Sequence, residues 1–168
     1  MNAHIKKLVE VLNTELDLLS PEQVGGVMKA YLPAILSDES LLTAEQKQFD
    51  PELDYTKHLI YSCDAWSLQA LIWRPDSKTP IHNHNCWCTV GVYECSIIEE
   101  RFENVNGKVK CIESVLHPKG VFVSLAPTGD DIHRILNPNT DCAITLHFYG
   151  INAFETPSSI LETFSQMS

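Results

Sequence analysis

From about residue 55 onward the chain is a succession of short runs rich in valine, isoleucine, threonine, leucine and aromatic residues: "HLIYSC", "SLQALIW", "CTVGVYEC", "SIIEERFE", "KCIESVLH", "VFVSLAP", "HRILN" and "CAITLHFYG". Runs of this composition read as strands. Turn-forming stretches separate them, namely "PDSKTP", "NVNG", "HPKG", "PTGDD" and "NPNTD". No helix-period pattern long enough for a crossover lies between the runs, so they cannot assemble as a parallel βαβ sheet. The remaining solution is mainly antiparallel, a sandwich or small barrel.

The first quarter of the chain follows a different period. Ile5, Leu8, Val9, Leu12, Leu16 and Leu19 recur three and four residues apart, which predicts an amphipathic helix over residues 2–19. "SPEQ" places a capping serine at Ser20, proline at the first helical position and Gln23 where a capping box needs it. "TAEQ" from Thr43 repeats that signal. The expected organisation is one domain over residues 1–168, with a helical section at 1–50 and a β-barrel at 51–168, in keeping with a chain of 168 residues. The polar, mixed tail from Thr156 carries no period and predicts no particular element.

A formal charge of −10 argues against two classes of partner, nucleic acid and anionic membrane surfaces, because both are polyanionic. Charges scattered through "MNAHIKKLVEVLNTELDLL" leave no apolar run for an export signal or a membrane span. A cytoplasmic protein, monomeric or weakly homo-oligomeric, is expected. Its six cysteines are then expected to stay reduced, most of them as small core residues.

Seven histidines raise the question of which converge. His82 and His84 stand two apart just before a strand, so in extended backbone both imidazoles share a face. His133 opens "HRILN" directly after a turn and His147 lies mid-strand in "ITLHFYG", and one further inward histidine would complete a three-nitrogen metal face, whereas His4, His58 and His117 read as ordinary core or surface residues. Cys86 and Cys88 form a C-x-C with no second half, unlike structural zinc sites. Thr145, His147 and Tyr149 alternate along "ITLHFYG", so a hydroxyl, an imidazole and a phenol lie in a row on one face and can form a hydrogen-bond relay.

"PIHNHN" followed by "GVFVSLAPTGDDIHRILN" resembles the two metal-binding motifs of the cupin superfamily, the second matched at Gly120, Pro127, Gly129, His133 and Asn137. The first motif departs from the family pattern, because no glutamate follows His84. Three histidines with no carboxylate resemble, within the cupins, the thiol dioxygenases of the cysteine dioxygenase type I group. The likeness extends to "HFYG" and covers roughly residues 50–150. It implies a cupin-type antiparallel β-barrel, one Fe(II) per chain held by His82, His84 and His133, and addition of O₂ to a small thiol to give a sulfinic acid. L-cysteine is the first substrate it implies; 3-mercaptopropionate or another small thiol is the alternative, and a non-catalytic metal-binding cupin is the rival of another class. Tyr149, His147 and Thr145 would be catalytic, with Thr145 where relatives more often carry serine. Tyr55, Lys57, Leu71 and Trp73 would bind substrate, Lys57 standing where relatives hold arginine or glutamine. Cys88 falls near the position of a cysteine that some relatives crosslink to the tyrosine, here Tyr149.

Overall fold

The structure, a computed structural model, describes residues 2–156 and 158–167. Two helices come first, α1 (Ala3–Glu15) and α2 (Pro21–Leu36). Ten strands follow among the described residues: β1 (Tyr55–Ser62), β2 (Ser67–Trp73), β3 (Ile81–His84), β4 (Cys88–Glu94), β5 (Ser96–Val105), β6 (Lys108–Pro118), β7 (Phe122–Leu125), β8 (His133–Leu136), β9 (Ala143–Tyr149) and β10 (Ile160–Phe164).

The apolar stripe of residues 2–19 is α-helical as far as Glu15, after which Leu16–Leu18 tighten into a 3₁₀ turn. At α2, Ser20 and Gln23 make the reciprocal bonds of a capping box and Pro21 occupies the first turn. Thr43 makes the same reciprocal bonds with Gln46, yet only a 3₁₀ turn, Glu45–Lys47, follows. A cap satisfies a helix end, but propagation needs an apolar face to bury, and Gln46, Lys47 and Gln48 offer none.

The strands form two five-stranded sheets, ordered β1-β2-β9-β4-β7 and β10-β3-β8-β5-β6. All pairings between these strands are antiparallel. β2 and β9 are buried along their whole length because the first sheet is covered on both faces. Leu68, Ala70 and Ile72 of β2, with Leu146 and Phe148 of β9, pack outward against Leu8, Leu12 and Leu32 of the helices. Each fully buried leucine there contributes about 1.5–3 kcal/mol. Gly91 on β4 permits the close approach of α2, since a Cβ at that position would lie 2.8 Å from Leu36. The alternate residues, among them Leu71, Val90, Val92, Ile97 and Ile135, turn into the lumen between the sheets. Helical cover on one side and a lumen on the other explain why these antiparallel strands read as continuous apolar runs.

The expectation that most cysteines are core residues is corrected. Cys86 and Cys88 are buried, whereas Cys63, Cys111 and Cys142 are half-buried and Cys95 is exposed, all as free thiols. The reason is topological: Cys63 follows β1, Cys142 precedes β9, Cys111 lies on the edge strand β6, and Cys95 occupies the β4–β5 turn at φ 62°. No described helix is long and apolar enough to cross a membrane.

Candidate metal centre

His82 and His84 lie within β3 itself rather than just before a strand, since Ile81–His84 pairs with both β8 and β10. Alternation along β3 then sends both rings to one face, and the register sets His82 opposite His133 on β8. The three ring centroids are 4.8, 4.9 and 5.0 Å apart. One nitrogen from each buried ring lies within 4.8 Å of the others.

The outer nitrogens are all engaged. His82 Nδ1 donates to the Pro80 carbonyl at 2.9 Å, His84 Nδ1 to Asp131 Oδ2 at 2.9 Å, and His133 Nδ1 to Glu99 Oε1 at 3.1 Å. A carbonyl and two ionised carboxylates only accept, so each Nδ1 carries a proton, and in the neutral ring Nε2 then keeps its lone pair. Burial, then the neighbouring His133, pushes the pKa of His82 down to about 3. Burial also lowers His133, against the pull of Glu99. Neutral imidazoles with oriented Nε2 lone pairs are the donor set a divalent transition metal takes, so these residues fit a metal by their own chemistry.

Sequence reasoning missed the residues that orient these rings. Burial raises the Glu99 carboxyl, but His133, Arg101 and His117 outweigh it and hold the pKa at about 2. Glu99 Oε2 accepts from His117 Nε2 at 3.1 Å and from Arg101 at 3.0 Å. His117, taken as an ordinary residue, is thus buried beside this carboxylate, as the register partner of Ile97 in the β5–β6 pair. Asp131 lies in the loop before β8; burial raises its carboxyl, but His84 outweighs this and lowers its pKa. A signal was available at Glu99, because alternation with inward Ile97 places an acid on the lumen face of β5. Nothing local marks Asp131 or His117.

A pocket with about 430 Å³ of empty space opens beside the histidines. Tyr55, Lys57, Leu71, His147 and Tyr149 line it together with the three clustered histidines. Lys57 is exposed along part of its length, yet burial of its ammonium lowers its pKa, and that ammonium lies 5.8 Å from the Tyr55 ring centroid. Trp73 does not line the pocket. Its register partner Tyr55 takes the lining position, with ring centroids 4.9 Å apart, and Trp73 sits fully buried behind it.

From there Trp73 extends the relay. Its Nε1 donates to Thr145 Oγ1 at 2.7 Å, Thr145 Oγ1 lies 2.8 Å from His147 Nε2, and His147 Nδ1 lies 2.8 Å from the Tyr149 hydroxyl. Indole N–H can only donate, which sets a direction. Thr145 uses its own proton toward His147 Nε2, His147 donates from Nδ1 to the Tyr149 oxygen, and the Tyr149 proton is left for the pocket. The opposite polarity would strand the Thr145 proton in a buried site. Burial, then the Lys57 charge, holds His147 well below its ordinary pKa, and burial, then Cys88, holds Tyr149 well above its own. The relay is therefore neutral.

Cys88 is the register partner of Tyr149, and its thiol is pushed well above the ordinary range by burial. Ser158, Ser159 and Ile160 close the pocket, fastened where Asn85 N–H donates to the Ser159 carbonyl at 3.0 Å and Asn85 Nδ2 to the Ser158 carbonyl at 3.3 Å. The tail to which no element was assigned thus supplies both a pocket wall and the strand β10 beside β3.

No protein-family model matches the chain. Among solved structures, it is similar to the protein TT1209 from Thermus thermophilus, at 14% identity and a TM-score of 0.52 over 64% of this chain and 91% of that one. It is similar as well to Peruvianin-I, a cysteine peptidase from Thevetia peruviana latex, at 11% identity and a TM-score of 0.51 over 77% of this chain and 84% of that one. An RmlC-like cupin protein from Desulfovibrio desulfuricans matches at 16% identity and a TM-score of 0.45, over 68% of this chain and 96% of that one. At such identities a likeness bears on the fold alone, and the fold is mainly β, two five-stranded antiparallel sheets preceded by helices.

Proposed function

We propose that the chain is an Fe(II)-dependent dioxygenase of a small thiol acid, converting RSH and O₂ to RSO₂H. Both oxygen atoms enter the product, the sulfur gives up four electrons and O₂ accepts them, so no further reductant is needed. The observation that carries this reading is the ligand set: three imidazoles with no carboxylate among them, opening on a pocket in which, among the described lining residues, Lys57 is the charged side chain.

His82, His84 and His133 would hold the iron, which when bound acidifies a thiol and supplies the one-electron chemistry that O₂ requires. Lys57 pairs the substrate carboxylate as a point charge rather than a bidentate fork. Tyr149, oriented by His147, Thr145 and Trp73, points its hydroxyl proton into the pocket and holds the reacting atoms in place. Leu71, Val90 and Ile135 give the pocket its aliphatic lining.

L-cysteine is the substrate indicated by the resemblance. One feature favours 3-mercaptopropionate as a second reading: among the described lining residues no carboxylate is available to pair an ammonium. The test is thiol-dependent O₂ uptake by the iron-loaded protein with L-cysteine, 3-mercaptopropionate and cysteamine, with ¹⁸O₂ traced into the product. Two ¹⁸O atoms per sulfinate are expected. Iron-replete protein that consumes no O₂ with any of the three is a metal-binding cupin and not this enzyme.

A further inference from the structure

The lumen face of β2 carries two polar side chains that the relay does not use, Ser67 and Gln69. Leu68, Ala70 and Ile72 alternate outward under the helices while Leu71 and Trp73 turn inward, so Ser67 and Gln69 share the inward face. The registers set Gln69 among four residues that line the histidine pocket. Leu71 follows it on the same face, His147 lies directly across on β9, and Lys57 and Tyr149 stand on its diagonals.

Gln69 is 9% exposed, and among the described residues its amide has no hydrogen-bond partner. Ser67 Oγ lacks one too, but that residue is 0% exposed and reaches no ligand. β2 is an interior strand between β1 and β9 with helices on its outer face, so the accessible part of Gln69 opens on the lumen. A nearly buried amide without a partner costs stability, and an apolar side chain of the same shape would not. A bound polar group removes that cost.

The chemistry of that group follows from the neighbouring charge. The Lys57 ammonium has the Tyr55 ring 5.8 Å away and, among the described residues, no carboxylate to pair it. An ammonium bound at Gln69 would meet the like charge of Lys57, whereas a carboxylate would be attracted by it. A carboxylate has two oxygens to satisfy, and a lysine, as a point charge, holds the group without fixing its plane. We propose that Gln69 is a specificity residue for the carboxylate end of the thiol acid, its Nε2 donating to one oxygen while Lys57 pairs the other.

The inference rests on the dioxygenase reading for its substrate, and its test separates the two. In the metal-free full chain, ¹⁵N-labelled at glutamine side chains, the Gln69 amide signal is identified by its loss in Gln69→Leu and followed as 3-mercaptopropionate or cysteamine is added. The shift with 3-mercaptopropionate is expected to be several-fold larger than with cysteamine; no shift, or equal shifts, overturns the assignment. In the iron-loaded protein, Gln69→Leu is expected to raise KM for 3-mercaptopropionate and L-cysteine several-fold and to change KM for cysteamine and the iron content little, with a urea midpoint no lower than the parent's. Gln69→Met serves the same purpose if the leucine variant does not fold. A rise for L-cysteine and cysteamine alone would make Gln69 an acceptor for an ammonium and overturn the proposal. A lowered urea midpoint with equal changes for all three thiols would also overturn it, since that marks an amide with a structural role. A selective Gln69 shift in a protein that consumes no O₂ with thiols keeps the carboxylate site and removes the dioxygenase reading; thiol-dependent O₂ uptake without the shift does the reverse.

Discussion

Cys88 and Tyr149 are direct partners in the antiparallel register of β4 and β9, so their side chains leave the pair on the same face. Burial, then the neighbouring Cys86, holds the Cys88 thiol well above its ordinary pKa. A thioether between the Cys88 sulfur and the Tyr149 ring removes one hydrogen from each, with O₂ as the electron acceptor. Protein taken through many turnovers with iron, thiol and O₂ is expected to yield a fraction of one crosslinked peptide, two mass units lighter than the sum of its parts. Only separate Cys88 and Tyr149 peptides after such treatment would refute the crosslink and leave the histidine site untouched.

Glu99 holds the ring of His133 through a 3.1 Å bond and is itself held by Arg101 and His117. Glu99→Gln removes the charge and allows the amide to present a donor to Nδ1, which turns the tautomer the wrong way. Metal affinity is expected to fall about 10–100-fold. A competitive chelator titration with Zn(II) reads this without any activity, and Asp131→Asn at His84 is expected to behave alike. Unchanged affinity in both variants would mean the carboxylates do not orient the ligands.

Replacing any of His82, His84 or His133 by alanine removes one of three clustered donors. Each variant is expected to lose bound iron and activity together, from about one iron per chain in the parent, as ligand loss from a three-donor site implies. Full iron in the His133→Ala protein would break the assignment.

Lys57→Met removes the charge facing the pocket and keeps an apolar stem. KM for 3-mercaptopropionate and L-cysteine is expected to rise about tenfold or more, the loss of one ion pair of about 1.4 kcal/mol. Cysteamine, which lacks a carboxylate, should change little. Equal changes for all three thiols would place Lys57 outside the site.

Acid should destabilise the metal-free protein in a defined window. The pKa of His82 is about 3 when folded against an ordinary 6.5, so as pH falls below 6.5 the unfolded chain takes the proton first and stability drops until about pH 3. Glu99, held at about 2 against an ordinary 4.5, contributes stability that is present above 4.5 and lost as pH falls toward 2. Both slopes have the same sign, and the combined loss is on the order of a few kcal/mol. Urea-unfolding midpoints should decline from pH 6.5 downward, and Glu99→Gln should flatten the part below 4.5. A profile flat between pH 6.5 and 4.5 would contradict a buried, neutral His82.

The class of fold, the helical start and the candidate histidines were legible because each rests on a local rule. Strand alternation puts His82 with His84, and Thr145 with His147 and Tyr149, on common faces whatever the sheets do next. Capping chemistry marked α2 for the same reason, and it failed at Thr43, where the following residues had no surface to bury.

What only the tertiary structure decided concerns contacts between elements distant in the chain. Local alternation turns Glu99 inward, but Glu99, Asp131 and His117 became part of the centre because β5, the loop before β8, and β6 close around His133 and His84, a partnership set by sheet order. Trp73 moved from the pocket to the back of the relay because its neighbour across β1–β2, Tyr55, took the lining position. The tail became a wall because β3 offered an open edge to β10. Side-chain period is a property of a few consecutive residues and can be read along the chain; partnership between strands is a property of the closed barrel, where long-range pairing and burial select one arrangement among many.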